Sequence, residues 1–381
     1  MDTDINLLFP NSYETSRERF RDDLSLIQVG WPHAKLDQHT INAGDDLTID
    51  WIRADATAEC KRMFILTTGQ HGAEGYVGSA MMQLAVEEYL SRLNSQNTGL
   101  LLVHTINPWG MKYMRRVNAN NVDLNRNFAW EESDLNAAAN PNYVLLNNFL
   151  NPQKPVGRYT FAKIYFFFHL LRILVSPGQA TLRSAMLMGQ YQFPQGLYFG
   201  GTELQEETRL LMNLYRDAIR SFDEIVHMDM HTGYGPRSQM SLVNSPLEHR
   251  SPRALAHAFD YPLVVAATPA EFYSINGDMV DWIYQLHQEE FPGKRLYATA
   301  FEFGTMGDSL LASIRSMRVM VLENQAYWFG ISNPKIERGV REEFQALFSP
   351  QEQFWREKAV ADARQAFEGI LSAEGFIDGT A

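Results

Sequence analysis

The sequence contains a single cysteine, Cys60, among its 381 residues. An internal disulfide and a metal site built from several thiolates are therefore excluded. Basic residues are also scarce, since 33 Lys and Arg stand against 45 Asp and Glu and leave a net charge of −12. Nucleic-acid binding needs clustered positive charge, so we expect no nucleic-acid partner.

Long hydrophobic runs are lacking as well. The stretch at residues 161–175 comes nearest, but it contains Lys163, His169 and Arg172 and is shorter than the roughly 20 apolar residues of a spanning helix. We therefore expect a buried or groove-lining helix here and no membrane partner. The acidic residues 1–4 lead into no apolar segment, which predicts a cytoplasmic location.

Short apolar runs alternate with helical patterns along most of the chain. This alternation indicates an α/β fold, a mixed and mostly parallel sheet with helices on both faces, within one domain over residues 1–381. Residues 129–201 break the alternation and are predicted to form a long insertion packed on that domain. The part from residue 308 onward is mostly helical. Strands are predicted at 63–68, 100–106, 224–230, 263–266 and 297–303, and helices at 78–93, 204–222 and 278–290.

His71 and Glu74 directly follow the first predicted strand, between Gly69, Gly72 and Gly75. Open α/β sheets place their sites at the carboxyl ends of strands, and glycines let the backbone turn sharply there. Imidazole and carboxylate groups three residues apart can converge on one metal ion. The alternative is a structural turn without a metal.

A third metal ligand is needed, because catalytic zinc takes three protein ligands and keeps one position for water. The best candidate is His231, which also ends a predicted strand and is followed by glycine. His227, Asp229 and His231 alternate along that strand and so share one face. We expect Asp229 to orient His231. The alternative is a capped strand end with a histidine whose hydrogen bonds are satisfied within the protein.

A polar segment at 114–128 lies between these two sites in the sequence and contains Arg116, Asn125 and Arg126. Guanidinium groups suit carboxylates and developing oxyanions, and asparagine adds neutral hydrogen bonds. Composition alone is equally typical of a polar surface loop.

Together these segments resemble the zinc carboxypeptidase superfamily, in the order and residue types of its carboxypeptidase A-like family. The sequences GQHGAEGYVGSA and GQYQFPQGLYFGG further resemble its bacterial branch known as domain of unknown function 2817. The resemblance extends over residues 63–304 and implies a carboxypeptidase-like (phosphorylase/hydrolase-like) fold. It is carried by His71-x-x-Glu74, Asn107-Pro108, Arg116, VDLNRNF at 122–128, and His231 before Gly-Tyr-Gly.

The resemblance implies a role for each matching residue. His71, Glu74 and His231 would bind one zinc ion, Glu302 would be the general base, and Arg116 would hold the oxyanion. Asn125 and Arg126 would bind a terminal carboxylate. The family's mobile tyrosine has two candidates here, Tyr273 and Tyr284, and the sequence does not choose between them. His227, Asp229 and Asp123 are further potential ligands should a second metal bind.

The expected function is that of a zinc metallopeptidase, a metallocarboxypeptidase-like hydrolase that cleaves an amide bond next to a terminal carboxylate. The first alternative is a deacylase of N-acyl amino acids similar to aspartoacylase and succinylglutamate desuccinylase, because Asp229-Met230-His231-Thr232 fits their Asp-x-His-Thr pattern. The second is a catalytically inactive binding module. The substrate is a peptide or an acyl amino acid, and no oligomeric state is predicted.

Overall fold

One mixed sheet organises the protein in the computed structural model, which describes residues 5–44, 46–137, 140–157, 159–267, 276–331 and 333–378. Its strand order is β1-β2-β4-β3-β5-β8-β6-β7. The central strands β4, β3, β5 and β8 are parallel. β2 runs antiparallel to both β1 and β4, and β6 runs antiparallel to β8 but parallel to β7. The strands are β1 (Lys35–Thr40), β2 (Thr48–Ala54), β3 (Arg62–Thr68), β4 (Thr98–Val103), β5 (Glu224–Gly233), β6 (Met240–Asn244), β7 (Val264–Ala266) and β8 (Arg295–Gly304).

Thirteen α-helices are present in the described ranges. They are α1 (Tyr13–Ile27), α2 (Gly75–Glu88), α3 (Pro108–Lys112), α4 (Glu132–Ala137), α5 (Pro141–Leu150), α6 (Tyr159–Val175), α7 (Gln179–Leu187), α8 (Glu206–Ser221), α9 (Pro252–Ala258), α10 (Met279–Glu290), α11 (Leu310–Phe329), α12 (Pro334–Phe348) and α13 (Gln353–Ala373).

Alternate residues of the central strands enter two different hydrophobic cores. Phe64 and Leu66 of β3 belong to the core that α2 and α13 cover, whereas Met63 and Ile65 belong to the core that α8 and α10 cover. A strand buried on both faces needs a continuous apolar run, and RMFILTT supplies one. The predicted α/β fold with helices on both faces is confirmed.

Three strands that the sequence pattern missed complete the sheet. β1 and β2 form an antiparallel pair at one edge, and β6 lies between β8 and β7 near the other. β1 reads KLDQHT and is largely exposed, so no apolar periodicity marks it. Residues 100–106 were predicted as one strand, but β4 ends at Val103.

The region 129–201 contributes α4 to α7 and no strand to the sheet within its described residues. Its helix α6 is buried on one side, where Phe166, Leu170 and Ile173 pack inward, whereas Phe168 is 65% and Val175 88% exposed. Phe161 and Tyr165 line a groove on the surface, in agreement with the groove-lining alternative. Within the described residues, the length and hydropathy needed to cross a bilayer are reached by no single helix. They are reached only by residues 161–175 and 179–187 together, which are bent by 112°.

Candidate metal centre

The turn after β3 depends on two glycines. Gly69 has a φ of +66°, which favours glycine, and the chain then enters the short 3-10 helix Gly72–Glu74. A Cβ atom on Gly72 would lie 2.1 Å from the backbone carbon of Gly110 in α3. The absence of a side chain at Gly72 therefore lets the turn pack against α3 and hold His71 and Glu74 at the carboxyl edge of the sheet.

His231 reaches the same edge through strand pairing. β5 pairs in parallel with β3, with Thr68 opposite Met230, so His231 is the next residue along β5. Glu74 Oε1 lies 2.9 Å from His71 Nδ1, and Glu74 Oε2 lies 3.2 Å from His231 Nδ1. The three ligand atoms lie within 4.8 Å of one another, and all three side chains are buried. Two imidazoles and one carboxylate match the ligand set of catalytic zinc.

Each imidazole has a carboxylate on its far side. Asp123 Oδ1 lies 3.0 Å from His71 Nε2, and Asp229 Oδ2 lies 2.6 Å from His231 Nε2. A carboxylate accepts hydrogen bonds, so it keeps a hydrogen on Nε2 and makes Nδ1 the nitrogen that would exchange its hydrogen for a metal ion. His71 Nδ1 is buried, and its contact with Glu74 Oε1 lies at 2.9 Å but lacks the geometry of a hydrogen bond. A metal ion coordinated by Nδ1 would satisfy this atom, so the residues fit zinc.

The charged groups of this cluster shift one another's pKa values toward the ionised forms. Burial by itself raises the pKa of Glu74, but the charges of His71 and His231 and their hydrogen bonds lower it well below its usual range. For His231, burial acts to lower the pKa, and the opposing effects of Asp229 and Glu74 raise it well above the ordinary value. Burial likewise acts upward on the pKa of Asp123, yet Arg116 lowers it overall. Ionised carboxylates therefore surround the imidazoles, which is the arrangement that a cation requires.

Thr67 also takes part in the candidate site, and the sequence did not indicate it. Its hydroxyl donates to Asp229 Oδ1 at 2.6 Å and lies 2.9 Å from His227 Nε2. Since the hydroxyl hydrogen is used toward Asp229, His227 Nε2–H is the donor in the second contact. His227 lies four residues before the proposed ligand His231 on β5, its Nε2–H is used toward Thr67, and burial lowers its pKa to about 4. Alternation predicted the placement of Asp229, but Thr67 becomes its neighbour only through the pairing of β3 with β5.

Glu302 stands beside the three ligands. β8 pairs in parallel with β5, and Glu302 lies opposite His231 in that pairing. Its carboxylate is 6% exposed, and Oε1 accepts a hydrogen bond of 2.9 Å from the backbone N–H of Tyr234. Burial raises the pKa of Glu302 to about 7, and the charge of Glu74 adds to this rise. A carboxyl group that titrates near neutrality is suited to accept and return a proton.

Arg116 lies on the other side of the cluster. Its Nη2 is 2.7 Å from His71 Nε2, its Nη1 is 3.3 Å from Glu74 Oε1, and its Nε is 3.3 Å from Asp123 Oδ2. The neighbouring Arg115 points away, with its guanidinium 3.7 Å from the centroid of the Tyr327 ring. The structure thus places Arg116, and not Arg115, beside the candidate ligands.

A family model for proteins of unknown function, DUF2817, matches residues 9–362. The chain belongs to the DUF2817 family. No curated protein matches this DUF2817 chain at a significant level.

Several solved structures are similar to it. Bovine thrombin-activatable fibrinolysis inhibitor, in complex with tick carboxypeptidase inhibitor, has a TM-score of 0.45 at 14% identity over 87% of this chain and 97% of that one. Carboxypeptidase A from Helicoverpa armigera has a TM-score of 0.45 at 12% identity over 88% and 74%. A succinylglutamate desuccinylase from Silicibacter has a TM-score of 0.36 at 17% identity over 78% and 67%.

Asn125 and Arg126 of the DUF2817 chain take different positions. Asn125 lines a cavity of about 30 Å³ together with His231 and Glu302, and it donates to Asp278 Oδ2 at 2.9 Å. Arg126 is 3% exposed and is not among the described residues lining that cavity. Its Nη1 donates to the carbonyl of Asn125 at 3.0 Å, whereas its Nε is buried without a described hydrogen-bond partner.

The predicted insertion packs directly on this segment. The carbonyl of Phe199 accepts a 2.7 Å hydrogen bond from the backbone N–H of Asp123, and the Tyr191 hydroxyl donates to the carbonyl of Arg126 at 2.8 Å. The Arg126 guanidinium lies 6.0 Å from the ring of Tyr198, a residue with a φ of +58°. The insertion therefore helps to position Asp123 and Arg126, a role that the sequence pattern did not indicate.

Of the two tyrosine candidates, Tyr284 is described, and it is engaged away from the ligand cluster. The Tyr284 hydroxyl donates to Glu248 at 2.7 Å and accepts from the backbone N–H of Ala298 at 3.2 Å, so both of its hydrogen-bonding functions are used. Tyr273 lies outside the described residues.

Proposed function

We propose that this protein is a zinc-dependent hydrolase that cleaves an amide bond next to a terminal carboxylate, acting as a metallocarboxypeptidase. One observation carries the proposal. His71 Nδ1, Glu74 and His231 Nδ1 converge, the far nitrogen of each imidazole faces a carboxylate, and Glu302 stands beside them. A structural turn or a capped strand end would not require this complete arrangement.

The three ligands would hold the zinc ion. When bound there, zinc supplies Lewis acidity, which acidifies water and polarises a carbonyl group. Asp123 and Asp229 keep the hydrogen of each imidazole on Nε2, so that both Nδ1 atoms stay available as ligands.

Glu302 is the proposed general base. Its Oε1 already accepts the Tyr234 N–H, which leaves Oε2 to take a proton from the attacking water. The same oxygen then returns this proton to the leaving nitrogen of the amide. A pKa raised to about 7 by burial makes both transfers accessible near neutral pH.

Arg116 is the proposed oxyanion donor. Its guanidinium is fixed against the ligand set by ion pairs with Glu74 and Asp123. A donor held in place in a buried site stabilises charge that develops on a carbonyl oxygen without having to reorganise. Asn125 and Arg126 keep their proposed role toward a terminal carboxylate, supported by the position of Asn125 beside Glu302 and by the Arg126 Nε, which has no described partner.

A deacylase of N-acyl amino acids is the second candidate. The observation that favours this candidate is the sequence Asp229-Met230-His231-Thr232, which fits the Asp-x-His-Thr pattern of those deacylases.

The test combines metal analysis with hydrolysis. Wild type, His71→Ala and Glu302→Gln are purified without added metal, and zinc per chain is measured by elemental analysis. Each protein is then assayed on carboxyl-terminal peptides and on N-acetyl amino acids. We expect about one zinc in wild type and in Glu302→Gln, little in His71→Ala, and hydrolysis only by wild type, since a general base contributes roughly 10²–10⁴-fold.

Each departure from this result has a defined meaning. Turnover by Glu302→Gln at the wild-type rate removes Glu302 from the mechanism. Cleavage of N-acetyl amino acids without peptide cleavage selects the deacylase. Zinc binding without hydrolysis in any panel supports an inactive binding module, and about two zinc ions per chain bring Asp229 or His227 into the ligand set.

A further inference from the structure

The helix α6 exposes a continuous apolar stripe, here called the α6 face. Five of its members follow the 3-4-3-4 spacing that aligns residues on one side of a helix, and Phe167 flanks them. These side chains are between 43% and 88% exposed. They are Phe161, Ile164, Phe167, Phe168, Leu171 and Val175.

The opposite side of α6 already packs on the protein. Phe166, Leu170 and Ile173 are at most 8% exposed and belong to a hydrophobic core with Phe149, whose ring centroid lies 4.9 Å from that of Phe166. Folding therefore uses one side of an apolar helix and leaves the other in contact with solvent. A monomeric protein in water rarely leaves such a stripe exposed without a binding partner.

The chain segment that contains the α6 face differs in charge from the rest of the protein, although Lys163 of this segment is paired with Glu343 of α12 at 2.9 Å. Residues 135–202 contain five basic residues and no Asp or Glu, whereas the remaining chain contains 28 basic and 45 acidic residues. Lys154, Arg172 and Arg183 are exposed, and Lys154 Nζ lies 4.3 Å from the centroid of the Tyr165 ring. Cations are thus combined with an exposed apolar helix in one segment of an acidic protein.

In place of the expectation that the protein has no membrane partner, we propose that the α6 face docks the protein on an anionic lipid surface, with the helix lying in the plane of the interface. Apolar side chains of such a helix enter the boundary between headgroups and acyl chains, and flanking cations are attracted to anionic headgroups. A twofold dimer through the same face would bring basic residues against basic residues. The lipid surface is therefore the occupant that matches both the apolar character and the charge.

The test measures sedimentation of the full-length protein with vesicles. One preparation contains phosphatidylcholine alone, and the other contains equal amounts of phosphatidylcholine and phosphatidylglycerol. The variant Phe168→Glu places a charge in the α6 face, and Phe354→Glu is the matched control because Phe354 is an equally exposed aromatic residue (70% against 65%) on α13. Arg172→Glu, at an exposed position, tests the charge without altering the apolar stripe.

We expect wild type and Phe354→Glu to bind the anionic vesicles, with binding that falls as salt is added. Phe168→Glu should bind at least about tenfold more weakly, because the burial of one phenylalanine side chain is lost. Arg172→Glu should also bind more weakly. Melting temperature and zinc content serve as folding controls. Because soluble-substrate hydrolysis does not depend on docking, the variants should retain it.

Three outcomes would overturn the proposal. The first is a wild-type protein that fails to sediment with anionic vesicles, and the second is a control variant that loses as much binding as Phe168→Glu. The third is a dimer in light scattering that Phe168→Glu converts to a monomer, without vesicle binding by wild type, which would assign the α6 face to a second copy of the chain.

Discussion

Asp229 offers the sharpest test of how the candidate metal centre is held. Its buried carboxylate accepts from Thr67 through Oδ1 and faces His231 Nε2 through Oδ2, both at 2.6 Å. An asparagine at this position would keep one oxygen acceptor and turn an NH₂ group toward one of these two partners. The Asp229→Asn variant therefore weakens the constraint that keeps His231 Nδ1 directed at the metal.

The expected loss in zinc affinity is about 10–100-fold, the usual effect of removing a carboxylate behind a ligating imidazole. This corresponds to about 1.4–2.7 kcal/mol of binding free energy. The assay is competition for zinc against a chromophoric chelator, with folding verified by circular dichroism. A shift in melting temperature of the metal-free protein is recorded separately, so that affinity and stability are not confused.

Asp50→Asn is the matched control. Asp50 is fully buried and pairs with Arg21 at 2.5 Å, so its loss also removes a buried charge interaction, but on β2 and away from the ligands. We expect this variant to lose stability and to retain the wild-type zinc affinity. An affinity of Asp229→Asn within twofold of wild type, or equal weakening in Asp50→Asn, would refute the role given to Asp229.

Two further predictions concern the turn and the proposed base. Gly72→Ala should lower the free energy of unfolding by about 1–3 kcal/mol, because its Cβ would meet the Gly110 backbone. Chemical denaturation measures this, and Gly293→Ala, with open space around its Cβ, is the control whose equal loss would contradict the packing argument. In metal-free protein the pKa of Glu302 is raised from 4.5 to about 7, so the native state holds this proton more tightly than the unfolded chain, and the resulting stabilisation is lost as pH rises from about 5 through 7. Glu302→Gln cannot ionise and should therefore gain melting temperature relative to wild type over that pH range, whereas a constant difference would contradict the raised pKa.

The sequence was most informative where a structural requirement is local. A strand buried on both faces needs a continuous apolar run, and 63–68, 224–230 and 297–303 correspond to β3, β5 and β8 for that reason. Strand β1 is polar and exposed, and it exists because β2 pairs with it. Its formation depends on a partner strand and not on its own pattern.

The helix α6 is a second element whose environment the sequence pattern did not determine. Its composition predicted a buried or groove-lining helix, because an apolar helix in a globular protein is ordinarily covered. Whether a given side is covered depends on which elements pack there, and here only the side containing Phe166 and Leu170 meets a neighbour. Amino-acid composition indicates that a surface favours an apolar environment. It does not indicate whether other elements of the fold cover that surface.

For the candidate site, the sequence alone determined the residue types and their positions at strand ends. His71-x-x-Glu74 is a local motif, and the alternation of Asp229 and His231 follows from the period of a strand. Tertiary structure decided which of these groups meet, because the parallel pairing of β3, β5 and β8 brings His71, His231 and Glu302 to one edge of the sheet. It also decided that Asp123 faces His71 across 52 positions of sequence, since such contacts depend on the path of the chain and leave no periodic trace in the sequence.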